Sequence, residues 1–329
     1  MSFFAVLLAL LAEQFEPLPR SDRVHEALLA WMRWSGRNFN AGRDRHAWVV
    51  WGVTALAPAL AVWGVHAAFA HASPLLALAW SVAVLYLTLG FRQFSHYFTD
   101  IRDALDRGDE TEARRLLAGW QRVDVSDLPR TELLRQVIEH SLLAAHRHVF
   151  CVFFCFVVFA TLGFGPAGAV LYRMAAYAGR YWAARSQTLG SPSNDRLMLL
   201  SQRLFALLDA VPSRLTAFGF AVVGNFEEAV TCWRRDAVLW RHANEGVILA
   251  AAAGAVGVRL GGAAAPSTAP DVAQNFDGAG AAEPIDAEGS TPGLPPQLGH
   301  LRSVVGLVWR SVVLWMLLLA LLSLANLVG

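Results

Sequence analysis

Residues 149–182 read VFCVFFCFVVFATLGFGPAGAVLYRMAAYAGRYW, and how this block is counted decides the fold. It is strongly apolar, carries little charge, and is interrupted by GFGPAG at 163–168. A membrane-spanning helix needs about 20 apolar residues. One crossing would therefore be too short for the block, and two would each be brief. Charge settles the choice. Almost all the arginines fall in segments 13–46, 92–148 and 180–303, and the link at 71–74 has none. If the block is a hairpin broken at Pro166, all three Arg-rich segments share one side, the cytoplasmic side by the preference of basic residues for it. A single span would send segment 180–303 outward, so the hairpin reading is adopted.

Working outward, 48–70 is a clear span with Pro58 near its middle as a kink. A second span follows at 75–91 after the short HASP link, and a last one runs over 304–328 with Arg310 inside it. The N-terminal MSFFAVLLALLAEQ lacks a positive n-region and a small-residue cleavage site, so it is not read as a cleaved signal. Its apolar stretch is also too short to cross. The expected fold class is an all-α, polytopic membrane helix bundle of about five crossings with cytoplasmic helical segments. Its parts are an N-terminal apolar helix and cytoplasmic segment (1–47), a transmembrane hairpin (48–91), a cytoplasmic helical segment (92–148), the broken hairpin (149–182), cytoplasmic or interfacial helices (183–262), a flexible loop (263–298) and a C-terminal transmembrane helix (299–329).

Composition agrees. The 329 residues are 55% hydrophobic and 16% charged, against about 25% charged in a soluble domain. Net charge is +1, which gives nucleic acid no electrostatic support. All 27 basic residues are Arg. Three cysteines, Cys151, Cys155 and Cys232, make no disulfide framework. Segment 98–120 reads as two helices meeting at Gly108, with Asp109 capping the second and Glu112 in the capping-box position. Segment 196–224 has apolar residues at helical spacing on both sides of Pro212 and reads as interfacial or packed under the bundle. Residues 263–298 hold five acidic residues, no basic one, and many Ala, Gly and Pro, the composition of a flexible loop.

Four stretches carry a resemblance: DALDRGDETEARRLLAGWQRVDVSDL (103–128), GFGPAGAVLYRMA (163–175), LLDAVPSRLTAFGFAVVGNFEEAVTCWRRDA (207–237) and AAAAGAVGVRLGG (250–262). Together they resemble the AmpE / CobD (CbiB) superfamily of bacterial inner-membrane proteins. The resemblance implies one of two activities. A CobD-type protein is a membrane-bound adenosylcobinamide-phosphate synthase, joining a corrinoid carboxylate to an aminopropanol-type amine with ATP. An AmpE-type protein acts in regulation and cell-wall sensing. The CobD acidic run, approximately E-S-L-A-E-N-T-S-D-G, here starts at Glu139 and reads EHSLLAAHRH. Its second acid falls at Leu143, its Asn at Ala144 and its Asp at Arg147. A later N-T-L-D element falls on Ala176 to Gly179. These losses remove carboxylates that would hold Mg²⁺, which prefers hard oxygen ligands.

Residues 140–155, HSLLAAHRHVFCVFFC, invite a metal reading. On a regular helix His140, His148, Cys151 and Cys155 share one face, but the outer two stand roughly 22 Å apart at 1.5 Å per residue. No metal site is expected, and the favoured reading is His and Arg at a membrane boundary with Cys packed as a small apolar residue. Glu139 is the candidate acid or base, set against a solvated helix-end carboxylate. Arg147, Arg214 and Arg259 are the candidate ligand-binding residues. Arg259 follows from a Gly-rich turn that lets an anion approach closely, set against a small-residue helix end, and Arg214 and Asp236, beside Arg234 and Arg235, are placed in the same cytoplasmic-face cleft. GxxxxGK[ST], HExxH and GxSxG are all missing.

The leading expectation is an AmpE-like regulatory or envelope-sensing inner-membrane protein without enzymatic activity. The alternatives are the synthase and a transporter. No cofactor is expected, and Mg²⁺ and ATP enter only with the synthase. The expected partners are the lipid bilayer and other inner-membrane or cell-wall-recycling proteins, and the large loops are placed in the cytoplasm.

Overall fold

The computed structural model describes residues 2–15, 22–39, 44–89, 91–121, 128–189, 192–262 and 289–328. Residues 263–288, most of the loop expected to be flexible, lie outside the described residues. In chain order the helices are α1 (Ser2–Phe15), α2 (Asp22–Phe39), α3 (Asp44–Trp51), α4 (Ala57–Ala72), α5 (Pro74–Thr88), α6 (Phe91–Asp106), α7 (Glu110–Gln121), α8 (Arg130–Ala145), α9 (Cys151–Thr161), α10 (Ala167–Leu189), α11 (Pro192–Val223), α12 (Phe226–Asp236), α13 (Ala243–Val256) and α14 (Leu298–Val328). The all-α membrane class expected from composition holds. Among the described residues, the only β pairing beyond helices is a set of isolated bridges.

Length and composition make four helical runs capable of crossing a membrane: His46–Ala72, Arg130–Thr161, Asp195–Val223 and Leu298–Ala325. This set differs from the spans read in the sequence. The apolar helix that was expected to start near Val149 starts at Arg130, and the segment read as interfacial, 196–224, qualifies as a span. The reason is burial. In 130–161, 67% of the most apolar window lies inside the protein, against 22% in 46–72. A helix surrounded by protein can carry Arg135, Glu139, His140 and Ser141, which lower its apparent apolarity.

The chain forms two compact units. The first comprises the described residues of 1–90 and 151–209. Its core joins Met32, Val50, Ala55, Ala59, Leu171, Met174, Ala178 and Trp182. Gly36 sits under the Trp182 ring, where a side chain would collide. Pro58 does not kink a regular helix. A wide π-helical turn at Gly52–Leu56 precedes it and puts the proline in the first turn of α4, where its missing N–H costs little. Ser35 and Thr54 hydrogen-bond each other there at 3.0 Å. The GFGPAG break folds as a turn between α9 and α10 with Gly163 and Gly165 at positive φ, conformations that favour glycine. Gly165 lies against His66, and Gly168 lies against the Cys155 carbonyl.

The second unit comprises the described residues of 91–150, 210–262 and 289–328. Its centre is α13, ANEGVILAAAAGAV, buried at every position from Gly246 to Gly254. A helix that is apolar all round belongs in a core, and its small residues let neighbours come close. Gly254 meets the Glu228 carbonyl of α12, and Gly246 meets the Ala237 carbonyl. The α6–α7 turn follows local sequence chemistry: Gly108 is left-handed with φ +79, and Asp109 accepts a 3.0 Å hydrogen bond from the Glu112 N–H.

Candidate functional site

Of the residues marked by the sequence, Glu139 and the Arg259 segment meet in the second unit, around the end of α13. Gly257, at φ +74, ends that helix, and the chain leaves it as an extended segment, Val258–Gly262. Residues 289–294 pair with this segment. The Arg259 N–H donates to the Leu294 carbonyl at 2.8 Å, the Thr291 N–H to Leu260 at 2.7 Å, and the Gly262 N–H to Gly289 at 2.9 Å. The Thr291 hydroxyl also accepts from the Leu260 N–H at 2.8 Å. In extended chain, successive side chains alternate. Val258 and Leu260 accordingly point into the core, fully buried, and Arg259 between them faces out.

Glu139 holds this segment from α8. Its carboxylate accepts a 2.7 Å hydrogen bond from the Gly261 N–H and two from Arg135, at 3.2 and 3.1 Å. Arg135 in turn donates to Glu132 at 2.8 and 2.6 Å. Glu139 is 1% exposed, so the solvated helix-end reading is corrected. A carboxylate withdrawn from water is tolerated only when paired and hydrogen-bonded, and here three bonds and a guanidinium supply that. With its oxygens engaged in this way, it is placed as an anchor more than as a free acid or base.

Arg147 makes an ion pair with Glu245 in the first turn of α13. Glu139 meets the chain beyond the opposite end of that helix, so α8 and α13 run antiparallel. Arg147 and Arg259 are thus held at opposite ends of a helix roughly 20 Å long, and the structure does not bring them together. Arg214 is exposed and donates to the Ala210 carbonyl of its own helix at 2.6 Å. Ser213 donates to the same carbonyl at 3.0 Å, so the polar residues of VPSRLTA serve the helix turn around Pro212. Thr216 pairs with His146 at 2.9 Å. Asp236 pairs with Arg235, at 2.8 and 3.0 Å. Arg310 donates to the Gly306 carbonyl at 3.1 Å and is exposed.

The histidine and cysteine stripe does not persist as drawn. A π-helical turn at His146–Phe150 shifts the helix phase between His140 and Cys151. His140 stands edge-on to Trp120, 4.2 Å between ring centres, and Tyr97 stacks on the same Trp. In the first unit, the Cys151 thiol donates to Asp209 at 3.3 Å and the Tyr172 hydroxyl donates to the same oxygen at 3.0 Å. Asp209 is buried in an apolar helix, and no reading of the sequence picked it out. The available signal was a lone acid within LFALLDAV, since an ionisable residue in an apolar span is normally functional or paired.

Beside the Arg259 segment lies a cleft of about 260 Å³ lined by Asn225, Glu228, Cys232, Gly257, Pro292 and Gly293. Asn225 caps α12, accepting from the Glu228 N–H at 3.3 Å, and its own N–H reaches the Ala255 carbonyl at 3.2 Å. Burial, followed by the Asp236 carboxylate, pushes the Cys232 thiol up to about 11. Sequence reasoning passed over Asn225 and Glu228, although both stand in the NFEEAVTCWRRDA stretch.

These features define an all-α membrane protein whose Gly-rich segment is anchored by a buried acid. The chain belongs to the CobD/Cbib protein family, whose model matches residues 2–284. A cobalamin biosynthesis protein CobD of Stutzerimonas stutzeri (strain A1501) is 32% identical over 326 residues, covering 96% of each chain. A protein of the same name from Chromobacterium violaceum is 34% identical over 194 residues, 58% of each chain. No solved structure matches significantly.

The relatives overturn the regulatory, AmpE-like reading and the expectation that the chain is not an enzyme. That reading rested on substitutions in two short runs, 139–148 and 176–179, whereas the match to proteins named for cobalamin biosynthesis extends along nearly the whole chain. Glu139, the residue of that run that persists, is the one the fold uses to hold the Gly-rich segment.

Proposed function

We propose that this protein is a membrane-bound adenosylcobinamide-phosphate synthase of cobalamin biosynthesis, forming an amide between a corrinoid carboxylate and an aminopropanol-type amine with ATP. The observation that carries the reading is the 32% identity to a cobalamin biosynthesis protein CobD across 96% of both chains. The arrangement of the second unit supports it. Arg259 is exposed on a backbone segment pinned on both sides, which suits it to hold a phosphate or carboxylate of the substrate. The adjoining cleft gives that group room, with the Glu228 carboxylate and the carbonyl end of α13 offering the negative potential that an amine needs. Arg147 and Arg214 have local structural partners, so Arg259 is the ligand contact this reading favours.

Magnesium and ATP belong to the reaction. The residues around Glu139 do not fit a magnesium–phosphate site, because the carboxylate is engaged by Arg135 and Gly261. Any magnesium the reaction uses must be held by other oxygens. We place the protein in the bacterial inner membrane with the Arg259 segment on the cytoplasmic side, where nucleotide is available.

Complementation tests the function. The gene should restore cobalamin-dependent growth to a strain lacking the synthase. Failure of the unmutated gene, with the protein detected in the membrane, would overturn the proposal.

A further inference from the structure

We propose that Glu139 is a positioning residue whose carboxylate fixes the 257–262 segment so that Arg259 is presented to an anionic group of the substrate. The part concerning substrate rests on the synthase reading, while the anchoring stands on geometry alone.

The Gly-rich segment does not hold its own shape. Gly257, Gly261 and Gly262 all have positive φ, at +74, +83 and +114. Glycine reaches such conformations without a steric barrier, so the same freedom lets it leave them. Attachments from outside restrain it: residues 289–294 take the N–H groups of Arg259 and Gly262, and Glu139 takes the N–H of Gly261 between them. Thr291 binds both the N–H and the carbonyl of Leu260. With residues 260 and 261 pinned and Val258 and Leu260 sunk in the core, the alternation of the chain leaves Arg259 one direction, outward.

The chemistry of the anchor is specific. A charged acceptor forms a stronger bond to a backbone N–H than a neutral one, and burial strengthens it further. The ion pair with Arg135, itself 3% exposed and tied to Glu132, makes the buried charge tolerable. Removing the acceptor frees Gly261 but leaves Arg135 with Glu132, so the effect falls on the segment. Sequence separation underlines the point: Glu139 and Gly261 are 122 positions apart, Glu139 being the retained acid of the run at 139–148 and Gly261 lying in the 250–262 stretch.

The test uses the full-length protein in detergent or membranes, with Glu139→Met, which keeps the volume but loses the acceptor, and Glu139→Gln, which keeps an acceptor oxygen. Trypsin cleavage after Arg259 is followed by mass spectrometry, and cleavage after Arg115, on a helix, serves as the reference for general unfolding. Cleavage at Arg259 relative to Arg115 should rise about tenfold in Glu139→Met and stay within about threefold of the unmutated protein in Glu139→Gln, as expected for loss of one charge-assisted hydrogen bond. Equal cleavage in all three, a parallel rise at both sites, or Gln behaving as Met would overturn the anchoring, whether or not the protein is a synthase. In the synthase assay, Glu139→Met and Arg259→Ala should each raise KM for the anionic substrate. The double variant should match the stronger single one. Multiplying effects would show that Glu139 does not act through Arg259.

Discussion

Arg147 and Glu245 form an ion pair at the start of α13, and Glu139 binds the Gly261 N–H just past its end. Two bonds from one helix therefore fix both ends of the central helix of the second unit. Removing Arg147 leaves the largely buried Glu245 carboxylate alone, at a cost of about 1–3 kcal/mol. Thermal unfolding in detergent should show Arg147→Ala and Glu245→Ala each lowering the Tm, with the double variant close to either single one. Additive losses would mean the pair does not act as a unit.

Gly254 is a packing position. A Cβ there would press on the backbone of Glu228 and Ala229 in α12, and neither backbone can swing away as a flexible side chain would. Gly254→Ala should therefore cost about 1–3 kcal/mol, read as a lower Tm. Gly299→Ala, where a Cβ meets nothing, should leave the Tm unchanged.

The Cys232 thiol gives a pH dependence with a definite sign. The unfolded chain loses this proton near the ordinary 9.0, whereas the folded chain keeps it up to about 11. The folded state thus binds more protons inside that window, and stability falls as pH rises through it. Below 9.0 the contribution is fully present. Iodoacetamide at pH near 9 should alkylate Cys232 more slowly than a free thiol, and Asp236→Asn should quicken the reaction by removing a neighbouring negative charge.

Topology offers a further check. Alkaline phosphatase fused after Ser73, in the arginine-free link, should be active in the periplasm, and a fusion after Gly262 should be inactive. The reverse pattern would invert the assigned orientation.

The sequence disclosed what local chemistry controls. Gly108 and Asp109 ended one helix and capped the next as read, because both roles depend on neighbours within a few residues. Arg259 was selected from the glycines around it. The partner of Glu139 was not legible, because Gly261 comes close only through the packing of α8 against α13. The same packing hid the true start of the 130–161 helix, whose buried ion pair reads as polar segment until the surrounding protein is known. The π-helical turn at His146–Phe150 defeated the stripe drawn on a regular helix, since a phase shift of that kind leaves no mark in residue types. The functional branch is not legible in 139–148 and 176–179 for a related reason: a few substituted positions say less than similarity spread along the chain.

The most direct test of the central claim is synthesis by the purified protein. Given an adenosylated corrinoid acid, a phosphorylated aminopropanol-type amine, ATP and magnesium, it should form adenosylcobinamide phosphate, and Arg259→Ala should lower kcat/KM by about tenfold or more, as for loss of a charge-assisted contact. A folded, membrane-competent protein that forms no product under those conditions would contradict the account.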